Sequence, residues 1–403
     1  TTAARPLSSQ VLRLNVANAN FRTQSAPVAI QVLMKLAFYA PMKPPDHPVP
    51  SGERQMARLL MRALAQAGFT PELASRLRSH GSAPAEAALA EAAGGERRRV
   101  VADWEALAPA QRPRAWLTYH PYYKAPDLIG PEIAARFAIP YVTAEASYAG
   151  KRDRDRWAGQ QGAVKAAVRA AALNICFTAE DRQGLSRIAA PEQLADLAPF
   201  IDAAPFLAPP LRKDRDGPVR LVTVAMMRGG VKLASYEMLA RALARIAGEP
   251  WRLDVVGDGP QRPAVTAAFA RLPGDRVHWS GELDADAVAR HLAEADMFVW
   301  PGTGEAYGIA YLEAQAAGLP VVAQAAAGVP AVVRHDLTGL LTPEGDEAAL
   351  AAAIARLIRD VSLRRRLGTA ARSFVADERS MPAAAARLRQ LLEPLLAPAP
   401  AAP

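Results

Sequence analysis

One cysteine, Cys176, stands in a chain of 403 residues. No internal disulfide can form, and no Cys/His spacing around it matches a metal site, which points to a reducing compartment. No run of about 18 uninterrupted apolar residues occurs, which excludes a membrane-spanning helix. The first residues lack the basic-then-apolar order of a secretory signal: Leu12, Val16 and Phe21 are interrupted by Arg13, Asn15, Asn18, Asn20 and Arg22. The expected location is the cytoplasm. A clustered basic face is lacking too. The net charge of +8 is spread thinly along the chain, and a diffuse excess without interleaved aromatics removes nucleic acid from the expected partners. The 51% hydrophobic and 22% charged residues are those of a globular protein. At roughly 100–200 residues per domain, two or three domains are expected.

Residues 1–33 are polar, without a clear period, and read as a flexible leader. Organised structure begins with the apolar run Lys35–Ala40, bounded by the turn-rich stretch 41–50, as a buried strand followed by a long loop would be. Ser51-Gly52 opens a periodic helix in which Met56, Leu59, Leu60, Ala63, Leu64 and Ala67 share one face and Arg54, Arg58 and Arg62 the opposite one. Further strands are expected at 115–119, 141–144 and 174–178, with helices between them. Residues 197–218 hold five prolines and a charged turn, the composition of an interdomain linker. After it the alternation restarts: strands at 219–225, 252–256, 277–279, 297–300 and 320–323, helices at 234–247, 262–271, 285–293, 307–317 and 346–359. Two βα series imply an α/β protein of two facing Rossmann-like, doubly wound domains with a cleft between them. The expected partition is a leader at 1–33, a first domain at 34–203 and a second at 204–380. A terminal helix at 381–396 would pack back on the first domain, and a Pro/Ala tail at 397–403 would be disordered.

The densest chemical signal is Pro301-Gly-Thr-Gly-Glu305-Ala-Tyr-Gly308, followed by Glu313 on the helix that the loop opens. A Gly-rich loop entering a helix aims free backbone N–H groups and the positive helix end into the space beyond the strand, which suits a phosphate. Seven residues separate the two carboxylates, one at the cleft mouth and one deeper. Gly257-Asp-Gly-Pro260 lacks the G-x-G-x-x-G spacing of a dinucleotide site, which argues against an NAD enzyme. The Asp-x-Asp pairs Asp153/Asp155, Asp214/Asp216 and Asp284/Asp286 sit in charged turns or at a helix start and read as solvated surface, so no metal ligand set is expected.

Together with Val255-Val-Gly-Asp-Gly-Pro260, Gly328-Val-Pro330, Thr338-Gly-Leu-Leu341 and the Arg228/Lys232 pair, this pattern resembles the family-4 retaining glycosyltransferases of the GT-B fold, over residues 35–395. The resemblance implies metal-independent transfer of a sugar from a nucleotide diphosphate sugar to a glycan or lipid-linked acceptor, with retention of configuration and no cofactor. It implies that Arg228 and Lys232 stabilise the diphosphate, Glu313 holds the ribose and Glu305 the transferred sugar. The amides of Gly308, Ile309 and Ala310 would meet the phosphate or sugar, Ser51 and Gly52 would approach the diphosphate, and His120 would contact the sugar. Several positions depart from the family pattern. Only three residues separate Arg228 and Lys232, Ser51 replaces a glycine, Tyr307 stands where Phe is common, Ala331 replaces a Glu, and Glu145 falls near a frequent His. An inactive sugar-nucleotide-binding relative and a GT-B-like nucleotide-sugar epimerase are the competing readings. The stripe Arg54/Arg58/Arg62 is a candidate for contact with an anionic membrane surface, with peripheral attachment to the inner face of the membrane as the corollary.

Overall fold

The computed structural model describes residues 34–49, 51–80, 86–209 and 216–397. The leader, 1–33, and residues 398–403 of the expected tail lie outside these. Strand β1 (Met34–Tyr39) shows why a parallel sheet forms. Leu36 and Phe38 pack into one hydrophobic cluster and Ala37 and Tyr39 into another, so both faces of the strand are buried. Strands covered on both faces read as continuous apolar runs, and their helices must lie on either side.

The first half runs through α1 (Gly52–Gln66), β2 (Phe69–Ser75), α2 (Glu86–Glu105), β3 (Ala115–Tyr119), α3 (Gly130–Arg136) and β4 (Tyr141–Ala144). It continues with α4 (Ala158–Ala170), β5 (Leu173–Cys176), α5 (Ala179–Leu185), β6 (Leu194–Asp196) and α6 (Ala204–Leu207). The second half begins with β7 (Val219–Val224), α7 (Val231–Arg245), β8 (Trp251–Val256), α8 (Arg262–Phe269), β9 (Val277–Gly281) and α9 (Ala285–Glu294). Then come β10 (Met297–Val299), α10 (Ile309–Ala316), β11 (Val321–Gln324) and β12 (Gly339–Thr342), and the chain closes with α11 (Glu347–Arg359), α12 (Val361–Glu378) and α13 (Met381–Leu396). The strands pair in two parallel six-stranded sheets, β2-β1-β3-β4-β5-β6 and β12-β11-β10-β7-β8-β9. Each order reverses direction once, between β1 and β3 in the first sheet and between β7 and β10 in the second.

The structure adds strands β2, β6 and β12 to those expected. Pro71 sits within β2, which an edge strand tolerates because one side of its backbone has no ladder partner. Two helix starts also differ. α7 begins at Val231 rather than at 234, which puts Lys232 in its first turn, and α10 begins at Ile309 after a Gly308 N-cap. The described part of the proline-rich connection is packed. Phe200, Ile201 and Phe206 are buried, Ile201 N–H bonds the Arg379 carbonyl at 2.9 Å, and an Arg372 guanidinium bonds the Leu207 carbonyl. Helix α13 returns to the first half, where Arg389 Nε donates to the Ala67 carbonyl at 2.8 Å and Arg387 Nε to the Asp196 carbonyl at 3.0 Å.

Gly328, in the loop after β11, is pressed against the loop after β10: a Cβ built on it would lie 1.4 Å from the Ala306 carbonyl oxygen. Its N–H also donates to the Glu305 carbonyl at 3.2 Å. Gly328→Ala is therefore expected to lower stability in urea by about 1–3 kcal/mol, the usual cost of overpacking. An unchanged midpoint would show that the two loops do not rest on each other.

Candidate functional site

In open parallel sheets the loops beyond the carboxyl ends of the strands diverge where strand order reverses, leaving a crevice. In the second sheet those loops are 225–230, after β7, and 300–308, after β10. They carry Arg228 and the Gly-rich sequence. Gly308 has φ +76, and a Cβ there would meet the Tyr311 ring at 2.7 Å, so only glycine makes this entry into α10 without strain. The loop is held from below: Thr303 N–H donates to Ser235 Oγ at 3.1 Å, and Glu305 N–H to the Gly302 carbonyl at 3.1 Å. Lys232, in the first turn of α7, forms an ion pair with Glu305, whose Oε1 also accepts the Trp300 indole N–H at 3.1 Å. The ammonium lies 5.6 Å from the centre of the Trp300 ring. The resemblance gives Lys232 and Glu305 separate tasks, but the fold makes them one unit. Arg228 is exposed at the loop tip.

Glu313 lies on α10, facing the other half. Its Oε1 accepts from Gln55 Nε2 of α1 at 3.3 Å, and burial pushes its carboxyl up to about 7, against the lowering effect of that bond. Ser51 caps α1, its Oγ accepting the Arg54 N–H at 3.2 Å, and Gly52 is exposed with open space where a Cβ would stand. The α1 amino terminus and α10 thus face each other across the cleft.

On the first sheet's side, His120 and Glu145 are the first residues beyond β3 and β4. Both adopt left-handed backbone, φ +57 and +56, a costly conformation that persists only where surrounding structure enforces it. His120 Nδ1 lies 3.4 Å from Glu53 Oε2 and 3.2 Å from Glu145 Oε1. Burial alone would lower the imidazole pKa; the Glu53 and Glu145 carboxylates outweigh it and raise the value to about 10. His120 is therefore an imidazolium at neutral pH. Tyr307, from the Gly-rich loop, donates its hydroxyl to Glu145 Oε2 at 3.2 Å. Two of the departures from the family pattern, Tyr307 and Glu145, are thus bonded to each other across the cleft.

Sequence reasoning missed Glu53, Gln55 and Trp300. Glu53 reads locally as an acid complementing the start of α1, and only tertiary packing shows it beside His120.

The arginine stripe makes contacts within the chain. Arg54 NH1 donates to the Pro48 carbonyl at 3.1 Å, Arg58 Nε to the Pro45 carbonyl at 2.6 Å, and Arg62 pairs with Asp202 at 2.6 Å. Arg54 and Arg58 keep their charge, since their acceptors are neutral carbonyls, and only Arg62 is paired with a carboxylate. Among the described Asp-x-Asp residues, Asp153 accepts the Tyr148 hydroxyl, Asp155 pairs with Arg152 and Asp284 caps α9; Asp214 lies outside the described residues. A cavity of about 390 Å³ opens at the opposite, amino-terminal end of the second sheet. There Asp254 is bonded by Ser280 at 2.6 Å and lies 3.0 and 2.6 Å from His278 and His291.

Residues 218–360 match the family described as glycosyl transferases group 1. The chain spans between 20% and 56% of the length of the curated relatives compared with it. One is the lipopolysaccharide core biosynthesis glycosyltransferase LpsD of Rhizobium meliloti, 32% identical over 195 residues, which are 48% of this chain and 55% of that one. Among solved structures, sucrose-phosphate synthase from Thermosynechococcus elongatus superposes with TM-score 0.68 at 22% identity, over 90% of this chain and 99% of that one. Anabaena HepE in complex with UDP-glucose gives TM-score 0.63 at 16% identity, over 90% of this chain and 100% of that one. The fold is GT-B.

The charge state of His120 has a measurable consequence. Because its folded value is raised to about 10 from an unfolded value near 6.5, its contribution to stability is fully present below about pH 6.5 and is lost as pH rises through about 10. His120→Gln should therefore be about 3 kcal/mol less stable than wild type at pH 6, with the gap closing by pH 10.5 in urea titrations. A gap independent of pH would refute the imidazolium.

Proposed function

We propose that this protein is a glycosyltransferase that moves a sugar from a nucleotide diphosphate sugar to a glycan or lipid-linked acceptor, retaining configuration and without a metal. The observation that carries this reading is the ion pair between Lys232, in the first turn of α7, and Glu305, in the Gly-rich loop at the switch point of the second sheet, with Glu313 further along the helix that the loop opens. A cation and a carboxylate at one point suit a substrate that is anionic on one side of the breaking bond and becomes cationic on the other. Lys232 and Arg228 stabilise the charge that grows on the departing diphosphate, in place of a metal. The Glu305 carboxylate faces the sugar as it becomes cationic, and Glu313 accepts from the ribose hydroxyls. As the bond to the anomeric carbon breaks, the leaving phosphate oxygen takes the proton of the acceptor hydroxyl, and the new bond forms on the same face. The glycosyl transferases group 1 match over the second half supports donor binding there.

Retention and metal independence are read directly by NMR of the product anomer in a transfer assay with and without EDTA. An inverted product, or activity lost to EDTA and restored by Mn²⁺ or Mg²⁺, would overturn these assignments.

Mutant kinetics separate the roles. Lys232→Ala and Glu305→Ala should each lower kcat by about 10²–10³, as loss of one preorganised stabilising group does. Because the two form one pair, the double variant should cost far less than the product of the single effects. Glu313→Ala should instead raise the donor KM with modest change in kcat, since its contacts are equal in ground and transition states. If Glu313→Ala binds free nucleotide diphosphate as tightly as wild type in calorimetry, the ribose assignment fails.

A further inference from the structure

The second sheet's crevice accounts for the donor; the first sheet has a crevice of the same origin. Its strand order reverses between β1 and β3, so the loops after those strands, 40–49 and 120–129, diverge there. The loop after the neighbouring β2, 76–80, is laced to both: Arg78 Nε donates to the Met42 carbonyl at 3.1 Å, Ser79 N–H to the Pro41 carbonyl at 3.0 Å, and Ser79 Oγ to the Pro126 carbonyl at 2.6 Å. The three loops therefore form one rim. It carries Lys43, Arg78, His80 and Lys124.

We propose that this rim binds the acceptor through a negatively charged group, phosphate or carboxylate, held by Lys43, Arg78 and Lys124. The inference rests on the transfer reaction proposed above and assigns the acceptor's chemical class.

The rim is built rather than frayed. Tyr122 and Ala125 exchange both backbone hydrogen bonds, at 3.2 and 2.8 Å, making a tight turn with Tyr123 and Lys124 at its tip. Tyr123 packs edge-on against buried Trp157 at 5.2 Å, and the Lys124 ammonium lies 5.6 Å from the Tyr123 ring centre. Lys43 Nζ donates to the Val49 carbonyl at 3.4 Å. Among the described residues none of Lys43, Arg78 and Lys124 forms an ion pair, and the acids nearby are already engaged. Asp46 pairs with Arg76, Glu53 faces His120, and Asp127 is buried, accepting from the amides of Ile129 and Gly130. The rim cations are close enough to oppose one another's charge. Lys43 is lowered first by burial and then by Arg228 and Arg78; His80 is lowered first by burial and then by Arg78 and Lys124. Cations gathered where the nearby acids are engaged by other groups focus a positive field into a crevice and draw anions to it. Arg228, from the loop after β7, is near enough to Lys43 to oppose its charge.

The test uses the full chain. A thermal-shift panel of UDP, GDP and ADP first identifies the nucleotide that binds, and at saturating nucleotide inorganic pyrophosphate, methyl β-D-glucuronide and neutral methyl β-D-glucoside are titrated by calorimetry. At least one of the two anions should bind the saturated protein while the glucoside does not. Its affinity should fall about tenfold in Lys43→Gln/Lys124→Gln, the scale expected for lost charge-assisted bonds, with nucleotide affinity within twofold of wild type as proof of folding. Binding of pyrophosphate alone assigns a phosphate-bearing acceptor, and binding of glucuronide alone a uronic acid. The proposal is overturned if the anions only compete with the nucleotide, bind the double variant equally well, or bind no better than the glucoside. If no nucleotide binds, the donor assignment fails on its own. The comparison of wild type and double variant, made with pyrophosphate on the free chain, then still decides the rim.

Discussion

Parallel strand pairing is the constraint on which this structure turns. Every strand must be re-entered from the same end, so every connection crosses a face of the sheet, and every loop at the carboxyl edge opens toward the next helix. Wherever the winding direction reverses, two such loops part. The described residues form two sheets with one reversal in each, and both reversals are occupied by chemically active side chains. The loops at the second carry Arg228 and Glu305, with Lys232 in the first turn of the following helix; those at the first carry Lys43, His120 and Lys124.

Charge is organised differently on the two sides. In the second half a cation and a carboxylate are paired directly, Lys232 with Glu305, over the face of Trp300. In the first half the order is carboxylate, cation, carboxylate. Glu53 and Glu145 flank His120 in a buried site, where an uncompensated charge would be far costlier than the pair itself. Tyr307 then ties Glu145 to the Gly-rich loop. The hydroxyl that distinguishes Tyr307 from Phe is thus matched by an acceptor that a His at 145 would not supply as a carboxylate.

Much of the fold was legible in local pattern. The apolar runs of β1, β3, β7 and β11 and the helical stripe of α1 are periodic over enough residues for burial to dictate the element. Strand β2 was not legible, because Pro71 and a half-buried pattern conceal an edge strand whose identity depends on its partner β1. The start of α7 was not legible either: Gly229 and Gly230 mask the point at which helical bonding begins, and that point moves Lys232 from a loop into a helix.

For the site, the chain's own order sufficed to find the Gly-rich loop, Glu305 and Glu313, because backbone flexibility, a helix start and two carboxylates fall within thirteen residues of one another. The sequence by itself therefore determined two βα series and the residues able to meet a phosphate and a sugar. Tertiary structure alone decided the pairing of Lys232 with Glu305, the charge on His120, the capture of the Arg54, Arg58 and Arg62 side chains within the chain, and the meeting of Lys43, Arg78 and Lys124 on one rim. The reason is electrostatic. A side chain's charge and availability depend on what lies within a few ångströms of it, and here those neighbours are mostly far away in sequence and are brought close only when the sheets wind.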